Sequence, residues 1–183
     1  LRDFDMPGSQ PFDHGAEFAS SASCATCHGG YDAAVEPYSN WQGSMMAHAA
    51  RDPLFLANMA IANQDAPESG DLCLRCHFPR GWMAGRSVPT DGSRMTAADG
   101  DGVSCALCHR MVDPVYKVGV SPTNDLAILA ALSFPGTNYG NGMYVIDSTG
   151  TRRGPFTNAV APHSVLASSF HRAAAFCGTC HDV

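Results

Sequence analysis

The sequence predicts a mainly α-helical fold with extensive loops and one small β-hairpin, in which bound groups rather than a large apolar interior organise the chain. Three observations lead to it. Eight cysteines fall into four pairs of one form, Cys24-Ala-Thr-Cys27-His28, Cys73-Leu-Arg-Cys76-His77, Cys105-Ala-Leu-Cys108-His109 and Cys177-Gly-Thr-Cys180-His181, with none left over. The chain has 183 residues to serve all four, too few to give each a pocket of its own. Its 18 glycines and 12 prolines favour turns and short helices over long regular elements.

Residues 1–22 contain Pro7, Gly8 and Pro11 without an apolar period and read as an N-terminal arm, with residues 23–183 as the domain that carries all four pairs. Gly29-Gly30 ends the first local turn, and an alanine-rich helix begins at Trp41 and takes in His48. Asp52 and Pro53 suit the N-cap and first turn of another helix, in which Leu54, Ala57 and Ile61 recur at helical spacing. Residues 63–72 and 79–102 read as loops, and a short helix is expected at about residues 124–132. Met143–Asp147 and Thr151–Pro155, joined by Ser-Thr-Gly, form the expected hairpin. A last helix from Pro162 to Phe176 would deliver His163 and His171 ahead of the fourth pair. The pairs recur at no fixed interval, which excludes a solenoid of identical modules.

The Cys-x-x-Cys-His pentapeptide is the signature of c-type haem attachment: two thiols add across the porphyrin vinyl groups, and the next residue, on the same helical turn, ligates the iron. Disulfide frameworks and zinc ribbons also use paired cysteines, but neither needs a histidine directly after every second one. Four haem c groups are therefore expected. Cys24, Cys27, Cys73, Cys76, Cys105, Cys108, Cys177 and Cys180 attach them, and His28, His77, His109 and His181 hold the irons from the proximal side.

Four histidines remain, His14, His48, His163 and His171, one for each expected haem. The match predicts bis-histidine coordination, which leaves no open iron position and points to electron transfer rather than to an enzyme. Methionine is the rival sixth ligand. Met45 and Met46 lie beside His48, and Met83, Met95 and Met111 lie near the second and third pairs. With Trp41, Phe55, Trp82 and Phe176, these are expected to pack against porphyrin. Asp99-Gly-Asp101-Gly lacks the further carboxylates of a calcium loop and reads as a turn.

The formal charge is −6, and Lys117 is the one lysine among eleven basic residues. Haem propionates add to the acidity, which argues against nucleic acid and suits a basic redox partner; the ten arginines have the planar fork that suits propionates. No apolar segment is long enough to span a bilayer, and no signal peptide opens the sequence. Because haem attachment to thiols takes place outside the cytoplasmic membrane, the chain from Leu1 reads as a processed, exported form, periplasmic or extracellular.

Trp41-Gln-Gly-Ser-Met-Met-Ala, Arg51-Asp-Pro-Leu-Phe, Gly102-Val-Ser-Cys105 and Phe176-Cys-Gly-Thr-Cys-His-Asp resemble the large multihaem c-type cytochromes of bacteria, related to tetrahaem cytochromes and hydroxylamine-oxidoreductase-like proteins. The likeness runs over residues 24–183 and implies stacked haem pairs that conduct electrons in the periplasm or outside the cell; some such proteins polymerise into extracellular haem filaments. Catalytic members of the wider group use a Cys-x-x-Cys-Lys motif that this sequence lacks. The expected function is electron transfer as a subunit of an extracellular haem-wire filament, with a soluble periplasmic carrier or a multihaem reductase with one open haem as alternatives. Only Asp182 and Val183 follow His181, so the fourth haem is expected at an exposed end. Another copy would cover it in a head-to-tail homopolymer, with the arm and His14 reaching across.

Overall fold

The computed structural model describes residues 6–13 and 18–181. It divides into two compact units; of the described residues, the first holds 18–108 and the second holds 6–13 and 109–181.

The first unit is built from short helices, each started by a local signal. Ser20 caps α1 (Ser21–His28) by accepting the Ser23 N–H. Pro37 opens α2 (Pro37–Gln42), and Ser44 caps α3 (Met45–His48). The single alanine-rich helix expected from Trp41 is thus two. Ser44 is extended, and its hydroxyl accepts the Ala47 N–H while donating to the Trp41 carbonyl, which breaks the run. The Asp52 carboxylate accepts the Leu54 N–H at 2.9 Å and starts α4 (Pro53–Asp65) where the sequence places it.

Beyond it, α5 (Gly70–His77) and α6 (Pro79–Met83) occupy parts of the stretches read as loops. A 3-10 turn over Ala97–Asp101 precedes α7 (Cys105–Arg110), where the sequence division between the units falls after Cys108. Leu74, Trp82, Met83, Ala106 and Leu107 are almost inaccessible and form the centre of this unit.

Gly102 makes the entry to α7 possible. Its φ is +60°, and a Cβ there would sit 2.5 Å from the Met46 carbonyl oxygen. With only hydrogen in that place, the Val103 N–H reaches the Met46 carbonyl at 2.9 Å, and the Trp41 indole N–H donates to the Val103 carbonyl at 2.8 Å. The Trp41–Ala47 and Gly102–Cys105 stretches therefore meet at one junction.

The second unit contains two two-stranded sheets. β1 (Met111–Val112) pairs antiparallel with β2 (Val145–Ile146), and β3 (Arg152–Gly154) pairs parallel with β4 (Val165–Ala167). The small sheet content is as expected, but 143–147 and 151–155 do not pair with each other. The Asp147 carboxylate accepts both the N–H and the hydroxyl of Thr149, turning the chain out of one sheet and into the other. The helix expected over Pro162–Phe176 is replaced by β4, a 3-10 turn over Ser169–Arg172, and α9 (Ala174–Gly178). Serines and a β-branched valine favour pairing there: the Arg152 N–H donates to Ser164 and the Ser168 N–H to Gly154.

α8 (Asp125–Ala130) forms as the sequence indicates. Residues 6–13 are tied to this unit by the Ser9 N–H to the Tyr144 carbonyl at 2.9 Å and the Ile146 N–H to the Ser9 hydroxyl at 2.9 Å.

Candidate haem-binding sites

Each pentapeptide lies on a helical turn, in α1, α5, α7 and α9. The fourth continues past Gly178 because the N–H groups of Cys180 and His181 both donate to the Cys177 carbonyl. Cysteines three apart on such a turn share one face, and the histidine follows beside them. All eight cysteines are partly or fully exposed.

Two of the four motif histidines are oriented by backbone carbonyls. His77 Nδ1 lies 2.9 Å from the Ala49 carbonyl oxygen, and His109 Nδ1 lies 2.7 Å from that of Arg153. An imidazole donating from Nδ1 keeps its Nε2 lone pair for a metal. Phe55, from α4, also stacks on the His77 ring.

The His109 and His171 rings have centroids 6.1 Å apart and planes 12° from parallel. That is too far for van der Waals stacking, which brings ring atoms to about 3.5–4 Å. With metal–nitrogen bonds of about 2 Å, two imidazoles on opposite sides of one iron have centroids about 6 Å apart. The separation matches that distance, and the two imidazoles are a donor set that would suit a haem iron.

The Arg153 that supplies the carbonyl is itself buried. Its guanidinium donates from Nε and Nη2 to Asp125 Oδ1, at 3.2 and 2.8 Å, and from Nη1 to Asp147. Burial pushes the Asp125 carboxyl up, despite Arg153, and the nearby Asp147 and Asp113 add to the rise. Burial also acts on Asp147, but Thr149 and Arg153 hold it below its ordinary range. Arg110 donates from Nε to the Asp147 carbonyl, and its burial lowers it to about 10.

The first and third motifs begin together. The Cys105 N–H donates to the Ser21 hydroxyl at 3.2 Å, and the Ser21 N–H donates to the Asp101 carboxylate at 2.8 Å. The neighbouring Cys24 thiol, with burial, pushes the Cys105 thiol far up. Burial raises the Cys73 thiol as well.

The other expected ligands lie elsewhere. His48 is exposed at the end of α3, with Arg51 Nη2 3.3 Å from its Nδ1. His163 is exposed in the bend before β4, not on a helix, and its Nδ1 lies 3.3 Å from the Ser164 carbonyl oxygen. His14 lies outside the described residues. His28 and His181 are exposed.

Met45 and Met46 are exposed and free to cover a porphyrin, whereas Met83 and Met111 are buried in protein. Trp82 is buried too: its indole N–H donates to Asp71, and the Arg75 guanidinium lies 4.5 Å from its ring centre. Arg86 grips Asp99 through two nitrogens. Thus Arg75, Arg86, Arg110 and Arg153, expected for propionates, are engaged inside the fold, where buried charge needs a partner. Asp99 and Asp101 serve as helix-cap and hydrogen-bond acceptors, as a turn requires. Among the described residues there is no cluster of three or more His, Cys, Asp or Glu placed to hold a metal ion, and no helix long and apolar enough to cross a membrane. The roles of Ala49 and Arg153 carry no sequence signal, since a carbonyl acceptor is common to all residues.

Residues 23–110 match the family model described as cytochrome c554 and c-prime. No curated protein matches the chain. Among solved structures, the chain is similar to a penta-haem cytochrome c552 from Thermochromatium tepidum, with 21% identity and a TM-score of 0.54. The match covers 90% of this chain and 46% of that one, so the chain spans about half that protein's length. With four Cys-x-x-Cys-His motifs set on a shared architecture, the chain has the fold of a multihaem c-type cytochrome.

Proposed function

We propose that this protein transfers electrons through four covalently attached haems, one on each pentapeptide. The observation that carries this reading is the spacing of His109 and His171: two imidazoles so placed would both hold one iron and leave no position for a substrate there. When bound, each haem supplies a one-electron couple. The polypeptide supplies the rest. His77 and His109 are held as Nε2 donors by the Ala49 and Arg153 carbonyls, His171 serves as second ligand opposite His109, and His28 and His181 are the remaining proximal ligands. His14, His48 and His163 are the second-ligand candidates for the other haems.

The hydrogen bond from the Cys105 N–H to Ser21, where the helix of the first motif starts, supports close attachment of the first and third haems, which favours transfer between them. The protein works outside the cytoplasmic membrane, where haem is joined to thiols. Its resemblance to multihaem cytochromes that polymerise supports a head-to-tail filament that hands electrons between copies, and eventually to a redox partner. A soluble carrier would do the same without self-association.

Electron paramagnetic resonance and haem analysis of the purified protein test the reading. Four haems per chain, all low-spin, and no binding of cyanide or nitrite are expected; an open, high-spin haem that binds these anions would instead make the protein a reductase. Light scattering and electron microscopy separate filament from carrier: a monodisperse monomer at every concentration removes the filament.

A further inference from the structure

In a parallel ladder, alternate residues of a strand bond to the same neighbour. The Arg152 N–H donates to the Ser164 carbonyl at 3.0 Å, and the Gly154 carbonyl accepts the Ser168 N–H at 2.8 Å. Residues 152 and 154 thus turn their peptide groups to β4, and the Arg153 carbonyl faces the opposite edge. There it meets His109 Nδ1. β4 itself leads, through Ser168, into the 3-10 turn that carries His171. One strand pair therefore supports both rings.

The side chain of the same residue is held as firmly as its carbonyl. Arg153 is 1% exposed, and its guanidinium is gripped by Asp125 from α8 and by Asp147 from the turn after β2. A buried ion cluster is a poor way to gain stability, because desolvation offsets most of the attraction and an apolar side chain often does as well. What it does provide is a single allowed position. Three separate stretches of chain fix the residue whose carbonyl orients His109.

We propose that Arg153 is a positioning residue for the His109–His171 pair, its ion pairs with Asp125 and Asp147 locking the carbonyl that aims His109 and strengthens its donation to iron. This rests on the reading of those histidines as an axial pair. A firm Nδ1–H to carbonyl bond makes the imidazole more basic, which favours oxidised iron and lowers the potential of that haem. Loosening the cluster raises it.

The test is a redox titration of the haem-loaded protein followed by electron paramagnetic resonance, with His171→Ala identifying the third haem as the signal that turns high-spin. Arg153→Lys keeps the charge but loses the fork. It is expected to shift the oxidised-to-reduced ratio of that signal about tenfold towards reduced, or about 59 mV upward, with the other signals in place. Asp125→Asn, which keeps Arg153 and Asp147, shifts it less in the same direction and decides the matter if Arg153→Lys does not fold. Unchanged midpoint and g-values of that signal in both variants, with only the melting temperature lowered, would make Arg153 a structural residue and overturn the proposal. If His171→Ala leaves every signal low-spin, the axial-pair reading fails first and takes the proposal with it.

Discussion

Phe55 lies flat on the His77 imidazole, with ring centroids 3.7 Å apart and planes 1° from parallel. The stack fixes the plane of the ring while the Ala49 carbonyl fixes its rotation. Phe55 is buried, so Phe55→Ala is expected to lower stability by about 3–5 kcal/mol. Phe55→Leu keeps bulk and loses the aromatic face, at about 1 kcal/mol. Denaturant unfolding measures both. Phe55→Leu should also broaden the resonance signal of one low-spin haem; an unaltered spectrum would confine Phe55 to packing.

His171→Ala should leave all haems attached and convert one to high-spin, because attachment depends on thiols and spin state on the sixth ligand. His48→Ala tests the exposed candidate in the same way. Haem stoichiometry and the visible spectrum report the outcome: a spectrum and potentials unchanged by His48→Ala remove His48 from the ligand set.

Trp82→Phe deletes the indole N–H that donates at 3.1 Å to Asp71, a carboxylate that is 2% exposed. Losing one donor to a buried charge costs about 1–3 kcal/mol. Urea unfolding should show a lower midpoint with unchanged slope. A variant as stable as the parent would mean that the remaining donors satisfy Asp71 alone.

Acid should weaken the first unit through Asp99. Burial pushes its carboxyl up, but the Arg86 guanidinium and the Thr96 N–H and hydroxyl outweigh that and hold it below its ordinary 3.8. A carboxyl lowered on folding contributes stability that is present above its unfolded value and lost as pH falls through the folded one. Melting temperatures of the parent and Arg86→Gln should therefore differ at pH 7 and converge as pH falls below about 4. A gap that does not narrow as pH falls below about 4 would locate the effect of Arg86 elsewhere.

The sequence by itself determined where the four Cys-x-x-Cys-His motifs lie. Two thiols and a histidine within five residues are a local requirement, so all four attachment motifs could be read directly, and α4 followed from Asp52 and Pro53 because capping is local too. The mainly helical class followed from short segments rich in turn formers.

Tertiary structure alone decided the rest. Val145–Ile146 pairs with Met111–Val112 rather than with the nearer Arg152–Gly154, because a two-residue strand has no register of its own and takes the partner that buries it. His171 faces His109 and not another motif because β4 pairs with β3, a contact no helical or strand period encodes. The carbonyls of Ala49 and Arg153, and the bond from Cys105 to Ser21, are likewise invisible in the sequence. Every residue has a carbonyl, and only the folded path of the chain selects the one that touches a motif histidine.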